Sequence, residues 1–455
     1  ARELDLPLLV FEPLRAGYPW ASDRMHAFVL QGMADHRREA AARGVSYYAY
    51  VEPTPGAGKG LLARLASDAA VVVTDDYPTF FLPRMVEAAA AQLDCRLEAV
   101  DGNGLMPMRA TDTVYPTAYA FRRYLQKSLV PHLSQFPLRD PLAAIPQRPA
   151  SIADEFRRTW PEATDALLAA TPGALAALPI DHTVPASPVL TGGTTAAQAQ
   201  LARFLDHGLA LYHEERSQPD SDAASGLSPW LHFGHIGAHR VFAEVVTRAG
   251  WTTRQIAAKA TGQREGWWGA PPHVEAFLDE LITWREVGFN FCALRPDHDT
   301  YESLPQWART SLEAHATDAR AHLYTLEEFA RAETHDQVWN AAQRQLVREG
   351  RMHNYLRMLW GKKILEWTSH PREALAVMIE LNNRYALDGR DPNSYSGIFW
   401  VLGRYDRPWA PRREIFGVIR YMSSDSTIKK LRLKNYLRTY GAGAQQLQFR
   451  IQSSE

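Results

Sequence analysis

The spacing of apolar residues changes character once along the chain, and that change constrains the fold more than any single motif. Through the first hundred residues, short apolar runs alternate with helix-period stretches. LPLLVF (6–11) reads as a strand, ASDRMHAFVLQGMADHRREAAARG (21–44) as a helix and VSYYAYVE (45–52) as a strand. GLLARLAS then reads as a helix, AVVVTDD (70–76) as a buried strand, FFLPRMVEAAAAQLD as a helix and RLEAVDG as a strand. This alternation predicts an α/β, Rossmann-like layer: a parallel sheet covered by helices. Such folds open on a strand, and the residues ahead of LPLLVF read as the end of a helix, so the first strand is expected to be missing. Residues 126–195 are rich in Pro and Ala and read as a connector with short helical pieces. From Thr195 onward the period is helical almost throughout, and eleven of the thirteen Trp lie at or after Trp230. The expected organisation is an α/β domain over 1–125, a connector over 126–195 and an all-α domain over 196–455, with no internal repeat.

Composition narrows the class. With 455 residues, 46% hydrophobic and 22% charged, the chain can build more than one core and is not disordered. No apolar run reaches the roughly 20 residues a membrane helix needs, so no membrane partner is expected. Cys95 and Cys292 lie too far apart for a disulfide framework and no basic-then-apolar leader opens the chain, which predicts a cytoplasmic protein. Net charge is −1, yet eleven Lys/Arg face four Asp/Glu from Val401 to the end, a local balance of +7. Such a stretch can bind phosphates or form a solvated face.

Several segments carry candidate chemistry. GAGKG (56–60) imitates a phosphate loop but has Pro53 where Gly is required and Gly60 where Ser or Thr is required, so it is set aside. His232 and His235 share LHFGH without further ligands at zinc spacing, and no metal is expected. In SGLSPWLHFGHI (225–236), Ser228 before Pro229 suits an N-cap and a Pro at the first helical position; the same turn can hold an anion. In LDELITWREVGFNF (278–291), Glu280 and Trp284 share a helix face, either as an amphipathic surface or as a carboxylate and an indole that bond and stack upon a base. Between Asp336 and Trp367 the helical run places Trp360 and Trp367 two turns apart on one stripe, with Trp339 on the piece before. Three such indoles suit a core, and equally a path for electrons. LNNRYALDGRDPNSYSGIFW (381–400) reads as a polar, turn-rich segment whose Asp, with Arg357, can form an ion pair around a bound ring system.

Taken together, SGLSPWLHFG, ELITWRE, WNAAQRQLVREGRMHNYLRMLWGKKILEW, LNNRYALDGRDPN and GVIRYM resemble the photolyase/cryptochrome family, and within it class II cyclobutane pyrimidine dimer photolyases. The resemblance spans roughly residues 205–422, in family order and spacing; the N-terminal third matches in layout only. It implies an antenna-type α/β domain, a connector and an all-helical domain holding FAD. It implies that light-excited, reduced flavin gives an electron to a pyrimidine dimer in DNA, that the ring splits, and that the electron returns. Carried over by position, Tyr212 and Ser225, Gly226, Leu227 and Ser228 hold the FAD phosphates. Arg357 and Asp388 pair against the isoalloxazine, Asn382 faces its N5, and Asn354, Gly389 and Asp391 complete the cradle. Glu280 bonds the lesion as a protonated or proton-sharing carboxyl, and Trp284 and Trp400 sandwich the flipped-out dimer beside Tyr355 and Met358. Trp360, Trp339 and Trp367, in that order outward, form the photoreduction chain, and Arg407 and Arg420 meet the DNA. The implied partner is UV-damaged DNA, the implied state a monomer, nucleoid-associated if the source is bacterial.

Departures from the family pattern bear on these expectations. Ser394 stands where DPNGY has Gly, Asn354 stands where class II members more often have Gly, and SSDSTIKKLRLKNYLRTYG replaces a lysine-rich ending. TDDYPTFFLPRM and NGLMPMRAT depart from the commonest antenna pattern, so a deazaflavin-type antenna chromophore is less firmly implied than FAD. Two alternatives stand beside repair of cyclobutane dimers: a cryptochrome-like photoreceptor that repairs nothing, and a photolyase relative acting on another lesion. Glu280, Trp284 and Trp400 argue against the first, because signalling does not need a lesion clamp.

Overall fold

The computed structural model describes residues 1–143, 145 and 148–443; positions 144, 146 and 147 of the connector and the end of the basic stretch lie outside the described residues. The chain groups into two units whose segments interleave: one holds 1–103, 131–201 and 227–241, the other 104–130, 202–226 and 242 onward. The expected boundaries at 125 and 195 follow the chain, whereas this grouping follows proximity.

In the first unit, β1 (Leu9–Leu14) and β2 (Ser46–Val51) pair in parallel, from Leu9↔Ser46 to Leu14↔Val51. Parallel neighbours need a crossover, and α1 (Asp23–Ala42) supplies it. Burial on both faces explains the apolar run Tyr47–Val51 of β2. Tyr48 and Tyr50 pack with Leu61 and Phe156 on one face, and Ala49 and Val51 pack with Leu30, Met33, Leu168 and Leu175 on the other. Short helices over 154–159, 165–168 and 172–176, the helical pieces of the connector, close both faces. After α2 (Leu61–Ala66), β3 (Val71–Asp75), α3 (Leu82–Ala90) and β4 (Arg96–Val100) form a second parallel pair, Val71↔Arg96 to Asp75↔Val100. Here the expectation of a buried strand is corrected: Val73 is 60% and Val100 50% exposed, and α3 buries no residue. AVVVTDD is apolar enough for a core strand, but among the described residues Val71 and Val72 are only half covered and Val73 is not covered. The strands expected at 6–11, 45–52, 70–76 and RLEAVDG are all present, the first running three residues later. His235 is a core histidine: it stacks on Phe28 with centroids 5.1 Å apart, and its Nδ1 accepts the Gly193 N–H at 2.9 Å.

The second unit is helical. Its framework is α4 (Ala118–Ser128), α5 (Pro272–Leu278), α6 (Arg285–Leu294), α7 (Gln337–Glu349), α8 (Asn354–Trp367), α9 (Pro371–Tyr385) and α10 (Pro392–Val401). The run expected from Asp336 to Trp367 is two helices, α7 and α8, which meet at the bend over 350–353. Asp336 caps α7 by accepting the Trp339 N–H at 2.9 Å. Helices α6 and α10 approach closely at Gly288, where a β-carbon would lie 2.9 Å from the Pro392 carbonyl oxygen. Among the described residues no helix is long and apolar enough to cross a membrane.

Candidate functional site

Helix α5 does not run directly into α6. Residues Asp279–Trp284 form a π-helical turn, not the plain α-helix expected over 278–291. Residues four apart still fall near one face, so Glu280 and Trp284 stay neighbours. The turn is anchored from α4: Arg122 donates from Nε and Nη2 to the two oxygens of Asp279, at 2.6 and 2.9 Å, with both side chains buried. Glu280, next along, points to a different environment. Its Oε1 lies 3.6 Å from Nη2 of Arg216, and its side chain is 34% exposed. Burial pushes its carboxyl above the ordinary carboxylate range; Asp279 adds to the rise, while Arg216, Arg264 and Arg122 oppose it. The carboxyl is thus crowded by protein yet about one third accessible.

Two indoles complete this face. Trp284 and Trp400, the latter near the end of α10, have ring centroids 6.4 Å apart at 66°. Each has a guanidinium near its ring: Arg264 at 5.9 Å from Trp284, and Arg420 at 5.7 Å from Trp400 and 4.9 Å from Trp409. Arg407 is exposed and lies 4.8 Å from the Trp409 ring. Tyr355 and Met358 are half-buried on α8, with the Lys430 ammonium 5.0 Å from the Tyr355 ring. Arg216 and Arg264 carry no signal in the sequence, because they reach Glu280 and Trp284 from distant segments with unremarkable patterns. Tyr212 is buried, packed between Phe204 and Phe277 with Arg216 5.4 Å from its ring. Burial, and then the Glu280 charge, push its phenol upward.

A second cluster lies where α8, α9 and α10 meet. Arg357 Nη2 donates to Asp388 Oδ1 at 3.0 Å, and both side chains are mostly buried. The segment 381–400, expected to be turn-rich, is helical at both ends and irregular only over 386–391. Asp391 caps α10 by accepting the Asn393 N–H at 2.7 Å, and Pro392 opens the helix, so Asp-Pro is a helix start here. Gly389 folds this loop onto α9: a β-carbon there would lie 2.8 Å from the Asn382 carbonyl oxygen. A hydrogen-bond chain fixes the amides. The Arg390 backbone N–H donates to Asn383 Oδ1 at 3.0 Å, so the Asn382 Nδ2 must donate to that oxygen, at 3.3 Å, and also to Ser394 Oγ, at 2.7 Å. Among the described residues no donor reaches Asn382 Oδ1. Asn383 Oδ1 therefore sets which way Asn382 faces, and Ser394, the departure from DPNGY, accepts the second amide hydrogen. Asn354 is exposed at the start of α8.

A third group is internal. Trp339 and Trp360 are among the largest fully buried side chains, and Trp367 is 3% exposed. Trp339 donates its indole N–H to the Trp360 carbonyl oxygen at 3.0 Å, and its ring centroid lies 6.1 Å from that of Trp367. The order Trp360, Trp339, Trp367 is thus a series of neighbours. Ser225 and Gly226 are half-buried in this unit, while Leu227, buried, and Ser228, exposed, belong to the first unit. The expected N-cap at Ser228 is corrected: Leu227 holds that position and Ser228 is the first helical residue, ahead of Pro229.

Compared with curated proteins, the chain is 33% identical over 443 residues to the deoxyribodipyrimidine photo-lyase of Methanothermobacter thermautotrophicus, covering 96% of this chain and 88% of that one. The chain belongs to the photolyase/cryptochrome family. It is also 34% identical over 433 residues to the deoxyribodipyrimidine photo-lyase of Oryza sativa, covering 92% of this chain and 78% of that one. Among solved structures, a class III photolyase of Agrobacterium tumefaciens matches with a TM-score of 0.66 at 18% identity, over 96% of this chain and 81% of that one. A cryptochrome of Synechocystis matches with a TM-score of 0.66 at 16% identity, over 97% and 84%. A scan against models of known protein families finds no match. The architecture of small parallel sheets and a helical C-terminal part is the photolyase/cryptochrome fold.

Proposed function

We propose that this photolyase-type enzyme repairs cyclobutane pyrimidine dimers in DNA under light, with FAD as its cofactor, in the manner of class II enzymes. The observation that carries the reading is the grouping of Glu280 with Trp284, itself beside Trp400. A part-exposed carboxyl held above the ordinary carboxylate range, on one face with an indole that neighbours a second, suits a flipped-out pair of fused bases: the acid donates to a base carbonyl and the rings stack on its faces. The residues also fit a flavin. The mostly buried Arg357–Asp388 pair and Asn382 Oδ1, which no donor among the described residues reaches, match a polar ring edge, and among those residues His353 Nδ1 is buried without a partner. Arg357, Asp388, Asn382 and Gly389 are the residues that would hold it. When bound and reduced, FAD supplies on illumination the electron that opens the cyclobutane ring, and takes it back afterwards. Glu280 stabilises the negative charge that the lesion gains, by holding a proton at its carboxyl oxygen.

The direct test is repair. The purified protein, its FAD identified by absorption and reduced, is illuminated with a thymine-dimer oligonucleotide. Recovery of thymine absorbance, absent in the dark, is the expected result. Bound FAD that photoreduces while the dimer stays intact points instead to a photoreceptor or another lesion.

The raised Glu280 carboxyl gives a second expected result. The folded protein keeps this proton at pH values where the unfolded chain, with its ordinary value near 4.5, has lost it. Stability from this group therefore declines as pH rises through that window, and the proton available to the lesion is lost at its upper end, as pH passes the raised value of the folded protein. Repair yield should fall with rising pH there in the wild type and stay flat in Glu280→Gln. An unchanged profile in the variant removes Glu280 from this role.

A further inference from the structure

Gln343 lies on α7 one turn beyond Trp339 and is fully buried, at 0% exposure. Its Oε1 accepts the indole N–H of Trp360 at 2.8 Å, while Trp339 sends its own indole N–H to the Trp360 carbonyl oxygen. Helices α7 and α8 are thus joined at this level by two indole hydrogen bonds running in opposite directions. The Gln343 Nε2 is left buried with no hydrogen-bond partner among the described residues. Reversing the amide does not relieve this, because Nε2 would then oppose the Trp360 N–H, donor against donor, and Oε1 would lose its partner too. The fold therefore tolerates an unsatisfied buried amine at this point to keep an oxygen on the Trp360 nitrogen, and such a group calls for a reason.

The chemistry of indole supplies one. Removing an electron from the ring leaves a radical cation with its positive charge partly on the N–H. In a dry site, a fixed acceptor oxygen on that N–H lowers the cost of creating the charge. An amide oxygen is also too weak a base to take the proton, so the electron can move without a proton leaving. We propose that Gln343 is a positioning residue for electron donation by Trp360: it orients the indole, favours loss of the electron and keeps the proton in place. This rests on the photoreduction chain of the proposed function. Trp360 gives one electron to the light-excited flavin and keeps its N–H shared with Gln343 Oε1, so no bond breaks. Trp339 refills Trp360 and Trp367 refills Trp339. The charge ends on Trp367, the least buried of the three, and a thiolate in solution supplies the electron across the thin layer above it, becoming a thiyl radical after its proton has gone to water.

The test compares the wild type with Gln343→Met, which keeps an unbranched side chain without the acceptor, with Gln343→Glu, which keeps the acceptor as a base, and with Trp360→Phe. Ultraviolet resonance Raman reports the indole N–H hydrogen bond without light-driven chemistry. The contribution lost in Trp360→Phe should move to an unbonded position in Gln343→Met. In the flavin-loaded protein under blue light with a thiol, Gln343→Met should photoreduce roughly three- to tenfold more slowly, the loss of one hydrogen bond, at unchanged flavin content. Transient absorption of Gln343→Glu should show a deprotonated, neutral indole radical in place of the cation. Wild-type rates in Gln343→Met, or an unaltered radical cation in Gln343→Glu, overturn the proposal while the chain stands. If Trp360→Phe photoreduces as fast as the wild type, the chain itself fails, and that outcome is seen separately.

Discussion

Arg122→Ala is expected to lower the unfolding free energy by about 3–5 kcal/mol, read as a fall in the denaturant midpoint. The reason is asymmetric. Arg122 and Asp279 hold each other through two hydrogen bonds, with side-chain exposures of 7% and 9%. Removing the cation leaves a buried carboxylate without its partner, which costs far more than the pair contributes against a well-packed apolar alternative. The double variant Arg122→Met with Asp279→Leu should therefore recover much of the loss. A double variant as unstable as Arg122→Ala would show that the salt bridge itself stabilises the unit. The substitution also has an electrostatic reach. Asp279 raises and Arg122 lowers the neighbouring Glu280 carboxyl, so Arg122→Ala removes one opposing charge and should move the pH window of repair upward. A loss of stability and an upward shift of that window in one variant tie the anchor of the π-turn to the acid it carries.

How far the sequence reveals this molecule depends on whether a property is local. The strand–helix alternation is visible because burial on both faces of β2 demands an apolar residue at every position from Tyr47 to Val51. The same logic misleads at β3, where Val71, Val72 and Val73 read as core yet Val73 faces outward; nothing within the segment records that its covering is partial. The segment 381–400 reads as turn-rich because Asn, Asp and Ser favour turns. Yet Asp391 and Pro392 also spell a helix start, and that signal decides the structure. The pairing of Glu280 with Trp284 is legible as a four-residue spacing, while the π-turn is not, since it depends on the Arg122 anchor 157 residues away. Gln343 is an intermediate case. Its place one turn after Trp339 is in the sequence, but its bond to Trp360 exists only because the bend over 350–353 folds α8 back on α7.

Trp284→Ala and Trp400→Ala should each weaken binding of dimer-containing duplex by about 1–3 kcal/mol, roughly five- to 150-fold. Binding of intact duplex should barely change. The separation follows from what each contact reads. Phosphates are present in both duplexes, and the cations that meet them act on damaged and undamaged DNA alike. Stacking on these indoles is available only to bases that have left the helix, which a dimer does at lower cost than a sound pair. Arg407→Gln supplies the contrast: it should weaken both duplexes together and reduce the salt slope by about one. Arg407 is exposed beside Trp409, whereas Arg420 also lies over Trp400, so Arg420→Gln should combine both behaviours. Because the two indole centroids are only 6.4 Å apart, the double Trp variant should lose less than the two single losses added, as neighbours in one pocket do. Equal losses on damaged and intact duplex in the Trp variants would mean that these rings support the fold rather than the lesion.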